Sequence, residues 1–517
     1  MIDNMGIPRN GLLPLLNITS EAPFLKTIFF TSTILWLWFT ITSIYNAYFH
    51  KLAAFPGPLL ARCSLIWRIY HSQTGRYHYA IQAQHRKYGP VVRVSPNELS
   101  FASVESWKAI YGHRVSGAPT PVKSEFYDIY GAGFKSLCIG SERDPRKHGQ
   151  MRKMLSAAFS TRVLMDQENI IGKVVDQFIT RLGADGAQTK GLNMTKWYEM
   201  VAFDALGEMA FGESFHSVEA GQPHSWSDII VSHLYFITLI DNLRRLPFVA
   251  RLARLLFPSA LAVQNQNSQY SRRKVEERLA KKSSRNDFLS TVVQSYEQGI
   301  TSKEEMTAHV STLTIAGGET TATFLAAVTY YLLRSPVCLS KVQEEIRARF
   351  SSYDEVDATA ARQLPYLQAV INEGLRLYAP GSQGFPRIST GMKVGDVHVP
   401  AGAEVFTHAW TLTHSEQYFS DPLVFKPERW LDPYSTDVRE ASQPFSMGPR
   451  GCLGQNFAYM EINLILAKML WKYDLELVNK NLDWEKESQL HVMWWKPALM
   501  VQFRERESHD TMQTHNH

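Results

Sequence analysis

Residues 25–45 read LKTIFFTSTILWLWFTITSIY, apolar on every side with one charge near the start. At about 1.5 Å of rise per residue, a helix of this length crosses the ~30 Å of hydrocarbon in a bilayer. The run is long for a cleaved signal peptide and lacks the polar face of an ordinary core helix, so it predicts a single membrane-spanning anchor. Lys51, Arg62 and Arg68 follow it, whereas Arg9 is offset by Asp3 and Glu21. The positive-inside bias then puts the remainder of the chain in the cytosol, leaving residues 1–24 lumenal, with the Asn17 sequon open to glycosylation. Phe55-Pro56-Gly57-Pro58 ends the anchor and makes 46–60 a stiff hinge. A second sequon at Asn193 falls on the cytosolic side and is read as chance.

Beyond the hinge, short helical runs alternate with β-type segments such as Val91-Val92-Arg93-Val94-Ser95, predicting a small sheet near the amino end. From about 147 to 376 apolar residues recur at helical spacing, and 393–407 holds Gly-Asp and Pro-Ala-Gly turns between short strands. The expected fold is mainly α with small β-sheets: one large domain over 61–505, preceded by the transmembrane helix and followed by a polar tail, 506–517. The longest predicted helix covers 304–334 and ends before Ser335-Pro336. Its centre is Ala316-Gly317-Gly318-Glu319-Thr320-Thr321, where two glycines each cost ~1 kcal/mol relative to alanine. Either a flat ligand approaches the backbone at a local break in the helix, freeing carbonyls for water or the Thr320 hydroxyl, or another helix packs closely there.

Composition adds limits. With 45% hydrophobic and 12% aromatic residues the chain buries an extensive core, and a net charge of +5 without a long basic run argues against nucleic acid as a partner. The excess suits an acidic protein or anionic lipid. Cys63, Cys138, Cys338 and Cys452 lie too far apart for a local zinc site, and are too few for a disulfide scaffold. Cys452 alone has a distinctive setting, Phe445-Ser446-Met447-Gly448-Pro449-Arg450-Gly451-Cys452-Leu453-Gly454. This is a tight turn entering an apolar helical pattern, where backbone N–H groups favour a thiolate and glycines admit a large planar cofactor.

The loop resembles that of the cytochrome P-450 superfamily, Phe-x-x-Gly-x-Arg-x-Cys-x-Gly, matched by Phe445, Gly448, Arg450, Cys452 and Gly454. Further matches follow family order: Ala316 to Thr320 resembles the acid–alcohol pair, Glu373-Gly374-Leu375-Arg376 the Glu-x-x-Arg helix, and Phe425 to Trp430 the Pro-Glu-Arg segment. The resemblance implies a buried cluster of Glu373, Arg376 and Arg429, haem b held by Cys452, and propionate contacts from Arg450, His148, Arg152 and Arg387. His148 departs from the tryptophan usual at its position. It also implies oxygen activation assisted by Glu319 and Thr320, with electrons from NADPH through a separate cytochrome reductase, since no Gly-x-Gly-x-x-Gly follows a strand here. The overall pattern resembles microsomal fungal enzymes that tailor secondary metabolites, which implies the endoplasmic reticulum membrane and a lipophilic terpenoid, polyketide or alkaloid substrate. The substrate is expected to meet residues 114–146, 229–258 and the long helix near Ile315; with Arg244, Arg245 and Arg251 interleaved, 229–258 either dips into the lipid interface or forms ordinary core helix. Hydroxylation is the expected reaction. Desaturation, epoxidation or ring coupling is the alternative, and a non-catalytic haem-binding membrane protein would be expected to have lost the acid–alcohol pair or the Glu-x-x-Arg.

Overall fold

The computed structural model describes residues 23–114, 119–246, 258–281 and 287–506. Asn17, Arg251 and nearly all of the polar tail lie outside them. The chain opens with α1, Pro23–Ile44, continued by a turn of π-helix over Tyr45–Phe49. Its large apolar side chains from Ile28 to Phe49 are exposed. Among the described residues, Lys26–Phe49 is the one unbroken helix long and apolar enough to cross a membrane.

The expected hinge is docked rather than free. Leu52 is fully buried, Lys51 Nζ donates to the Ala401 carbonyl, and Arg93 N–H donates to the Pro56 carbonyl. A side chain at Gly57 would put its Cβ 2.2 Å from the Arg93 oxygen, so only glycine lets the Pro-Gly-Pro turn lie against the sheet.

That sheet has five strands: β1 (Val91–Ser95), β2 (Glu98–Phe101), β3 (Val122–Lys123), β4 (Arg387–Ile388) and β5 (Glu404–Thr407), in spatial order β1-β2-β5-β4-β3. Only β2 and β5 pair in parallel. The expected strands near 91–95 and within 393–407 are therefore present. A three-stranded sheet that local alternation did not announce joins Leu192–Asn193, Met500–Glu505 and Tyr473–Leu477.

Helices make up most of the rest. Those that position the site are α2 (Pro145–Ser156), α3 (Met194–Phe211), α4 (Ser225–Leu243), α5 (Lys303–Arg334), α6 (Pro365–Leu377) and α7 (Gln455–Lys472). The expected 304–334 helix is α5, about 48 Å long at 1.5 Å per residue. Ser302 caps it by accepting from Glu305 N–H, Glu304 and Glu305 suit the positive end of its dipole, and Pro336 begins the next helix. α5 is continuous, so the expected local break at 316–320 is absent. Its glycines serve helix packing: a Cβ on Gly318 would meet the Phe203 ring at 2.6 Å, and one on Gly317 would meet Leu206 at 2.8 Å, both on α3.

The end of α4 carries a correction too. Arg244 bonds Asp241, Arg245 bonds Glu404, and Arg68 bonds Glu98 and Asp241, all largely buried. These arginines neutralise carboxylates between α4 and the sheet and are not placed to meet lipid head groups.

Candidate active site

Pro444 to Gly454 forms a loop with little freedom. Ser446 and Gly448 have φ of 57° and 71°, the left-handed region that costs a non-glycine residue energy. A Cβ at Gly448 would lie 2.1 Å from the Tyr111 carbonyl oxygen, which explains the glycine. Cys452 N–H donates to the Phe445 carbonyl at 2.9 Å, closing the loop just before α7 begins at Gln455. Phe445 packs on Tyr459 of α7, with ring centroids 5.2 Å apart.

The Cys452 side chain opens on a cavity of about 350 Å³ between this loop and α5. Protein packed around the thiol pushes its pKa up; the Gly454 N–H and the Arg152 charge oppose that rise without reversing it. Entry to a helix alone therefore does not make this sulfur a thiolate. A ligand that takes the proton's place, such as a metal ion, supplies the missing stabilisation.

Facing the loop, α5 presents Thr312, Ala316 and Thr320, spaced by four residues and so on one face. Thr320 Oγ1 donates to the Ala316 carbonyl at 2.6 Å. Glu319 is not on that face. Its carboxylate is buried against Lys496 Nζ and accepts from Thr323 Oγ1 at 3.2 Å, while Lys496 also reaches Glu199 at 3.5 Å. Burial pushes the Glu319 carboxyl up, and the ammonium of Lys496 pulls it back. Thr320 and Cys452 share the cavity, then, and Glu319 stands behind it.

Lys123, His148, Arg152, Arg387 and Arg450 line the same cavity, with no aspartate or glutamate among the described lining residues. Arg450 donates to the carbonyls of Glu142 and Arg143, and Arg152 to that of Gly451 at 2.7 Å. Arg387 bonds the Tyr127 hydroxyl and lies 5.0 Å above the Tyr111 ring. Lys123 Nζ donates to the carbonyls of Ile139 and Gly140, both at 2.7 Å. Their charges oppose one another. Burial, then Arg450 and Arg387, hold Lys123 well below its usual pKa; burial and Arg387 bring Arg450 down to about 10; burial, Lys123 and Arg450 bring His148 to about 3. His148 is thereby neutral and offers a hydrogen bond, while the arginines keep the wall cationic; such a wall fits an anionic group, and the two carboxylates of haem meet that requirement beside a sulfur donor. Lys123 escaped the sequence reading because it lies on a two-residue strand with no local motif.

The remaining cluster lies outside the cavity. Glu373 is completely buried and accepts from Arg376 Nε and Nη2, Arg429 Nε, Trp430 Nε1 and Lys426 N–H. Arg429 also pairs with Asp437, and Arg376 donates to the Thr413 and Pro422 carbonyls. Glu373, Arg376 and Arg429 thus pin α6 to the 409–437 region that leads into the cysteine loop.

Residues 56–503 match the family model described as Cytochrome P450. The chain is 61% identical over 461 residues to cytochrome P450 monooxygenase ORF9 of Penicillium roqueforti, covering 89% of this chain and 90% of that protein. It is 57% identical over 465 residues to cytochrome P450 monooxygenase BOT4 of Botryotinia fuckeliana, covering 90% and 88%, and 36% identical over 465 residues to cytochrome P450 monooxygenase atr2 of Stereocaulon alpinum. With a cysteine loop, a cationic wall and a long helix enclosing one cavity, and with matches that run almost from end to end, the chain belongs to the cytochrome P450 family of haem-thiolate monooxygenases.

Proposed function

We propose that this protein is a membrane-anchored monooxygenase that hydroxylates a lipophilic small molecule of secondary metabolism, R–H + O₂ + NADPH + H⁺ → R–OH + H₂O + NADP⁺, with electrons relayed by a separate NADPH-dependent reductase. The observation that carries this reading is the shared cavity of Cys452, the cationic wall and Thr320. Haem bound through the Cys452 sulfur supplies reductive activation of dioxygen.

The chain's own part is to hold, orient and protonate. Cys452 is fixed by its N–H bond to Phe445, and the two strained positions upstream hold the sulfur toward the cavity. Lys123, His148, Arg152, Arg387 and Arg450 offer charge and donors to the haem carboxylates. Thr320 can turn its hydroxyl from the Ala316 carbonyl to a guest in the cavity. Glu319 reaches the cavity only by rotating away from Lys496, so proton delivery is coupled to opening that buried pair. Apolar residues such as Leu206, Ile315, Phe385 and Met493 exclude water and favour a hydrocarbon-rich substrate.

The anchor α1 supports a single pass in the endoplasmic reticulum with the catalytic domain in the cytosol, and the net charge of +5 suits an acidic reductase. The reading is tested by the difference spectrum of dithionite-reduced microsomal protein with and without carbon monoxide. A red-shifted thiolate Soret band that is lost in Cys452→Ser is expected. A Cys452→Ser protein that stays active with an unchanged spectrum overturns it.

A further inference from the structure

Along the cavity face of α5, Thr312 stands two turns before Thr320, about 12 Å away at 1.5 Å per residue. Thr307, Thr314 and Thr320 each return the hydroxyl to the carbonyl four residues earlier. Thr312 does not: its Oγ1 lies 2.9 Å from the Cys138 sulfur. A thiol is a weak donor and a weak acceptor, so exchanging it for an oxygen costs the Thr312 hydroxyl little.

Tyr130 lines the same cavity. Its phenol is half-buried, the protein around it pushes its pKa up, and its hydroxyl makes no hydrogen bond among the described residues. Gly140 holds the two together, because a Cβ there would meet the Thr312 methyl at 3.0 Å and Tyr130 Cβ at 3.1 Å. A partnerless phenol and a weakly held hydroxyl therefore share a wall that is otherwise mostly apolar. The charged lining residues are all basic and are turned onto the protein's own carbonyls and hydroxyls, and Glu319 faces away. Nothing in the described wall compensates a cationic guest.

We infer that Thr312 and Tyr130 form a polar clip selecting a hydrocarbon-rich substrate without positive charge that carries a hydroxyl or carbonyl oxygen remote from the carbon presented near Thr320. This rests on the monooxygenase reading and narrows its substrate class, removing basic alkaloids. Both residues donate to the substrate oxygen, one from the helix and one from the loop. The polar end is thereby fixed while the apolar end extends toward the cysteine.

The test uses the haem-loaded full-length protein and three probes with one farnesyl skeleton: farnesene, farnesol and farnesyltrimethylammonium, whose quaternary nitrogen cannot ligate iron. Dissociation constants come from equilibrium dialysis for the wild type, Thr312→Val and Tyr130→Phe. One hydrogen bond is worth about 0.5–1.5 kcal/mol, so the preference for farnesol over farnesene should fall roughly three- to tenfold in each variant while farnesene binding is unchanged. The quaternary ammonium should bind at least about tenfold more weakly than farnesol, as an uncompensated buried charge requires. An unchanged preference in both variants, the quaternary ammonium binding as tightly as farnesol, or no binding of any probe to protein with a normal carbon monoxide spectrum overturns the inference. Loss of that spectrum in the wild type instead removes the monooxygenase reading beneath it.

Discussion

Thr320 holds its hydroxyl on its own helix, 2.6 Å from the Ala316 oxygen, yet within the cavity that Cys452 lines. Removing the hydroxyl leaves the fold and the cysteine untouched. Thr320→Ala should keep the thiolate spectrum and NADPH consumption while product formed per NADPH falls roughly tenfold or more, measured by paired cofactor and product assays. Lys496 tests the other half of the acid–alcohol pair. Lys496→Met leaves Glu319 buried without its ammonium, while Glu199 keeps that of Lys196 at 2.9 Å, and a loss of about 3–5 kcal/mol is expected in urea unfolding. Adding Glu319→Gln should recover part of that loss, because the two changes share one interaction. The sequence placed Glu319 and Thr320 beside each other but not on different sides of the helix wall, for Lys496 lies 177 positions away and belongs to no motif. Cys452 was legible because its whole loop is local in sequence, with glycines where the backbone demands them. Lys123 was not, since its role arises only when β3 meets Arg387 and Arg450 in space.

At the scale of elements, α5 shows the limit of propensity. Its glycines were read either as an approach for a flat ligand or as close packing; Phe203 and Leu206 show the packing, and Gly317 also lines the cavity. Gly318→Ala gains about 1 kcal/mol of helix propensity. It also drives a methyl into the Phe203 ring, which is packed against Phe215 and edge-on to Trp226, at a cost of about 1–3 kcal/mol. A net loss of up to about 2 kcal/mol is expected in urea unfolding. The Glu373 cluster shows a motif whose energetics depend on burial: on an exposed helix Glu373 and Arg376 would be worth a few tenths of a kcal/mol. Buried between two arginines, Glu373→Gln should destabilise by about 3–5 kcal/mol and lower haem content, read from the Soret-to-protein absorbance ratio. Period-3.6 patterning announced α5 and the helix bearing Glu373, whereas the sheet formed by residues 192, 477 and 501 joins short, distant strands that no local pattern can pair.

For the whole molecule, acid sensitivity is set by buried histidines. Burial, followed by Arg76 for His78, by neighbouring histidines for His408 and by Arg376 for His414, holds His78 and His408 well below their usual pKa, His414 at about 3 and His85 at about 4. Their folded pKa values are depressed, so below about pH 6.5 the unfolded chain takes up protons that the native protein does not. Each such group removes about 1.4 kcal/mol of stability per pH unit as pH falls from 6.5 toward the folded value. The urea midpoint should drop sharply between pH 7 and pH 5, and replacing His78 with glutamine should flatten that fall. An unchanged midpoint would contradict the assignment.

The cationic wall has a consequence for how the protein is made. Like charges gathered in a protein interior repel, and here backbone carbonyls hold Lys123, Arg152 and Arg450, so an anion seated against them stabilises the native arrangement. Haem is therefore a structural counter-ion as well as a source of oxidising power, and its capture is part of the folding reaction. Newly synthesised chain that outruns haem supply should be cleared by cellular proteases, so the amount of enzyme in a cell follows the amount of porphyrin available to it.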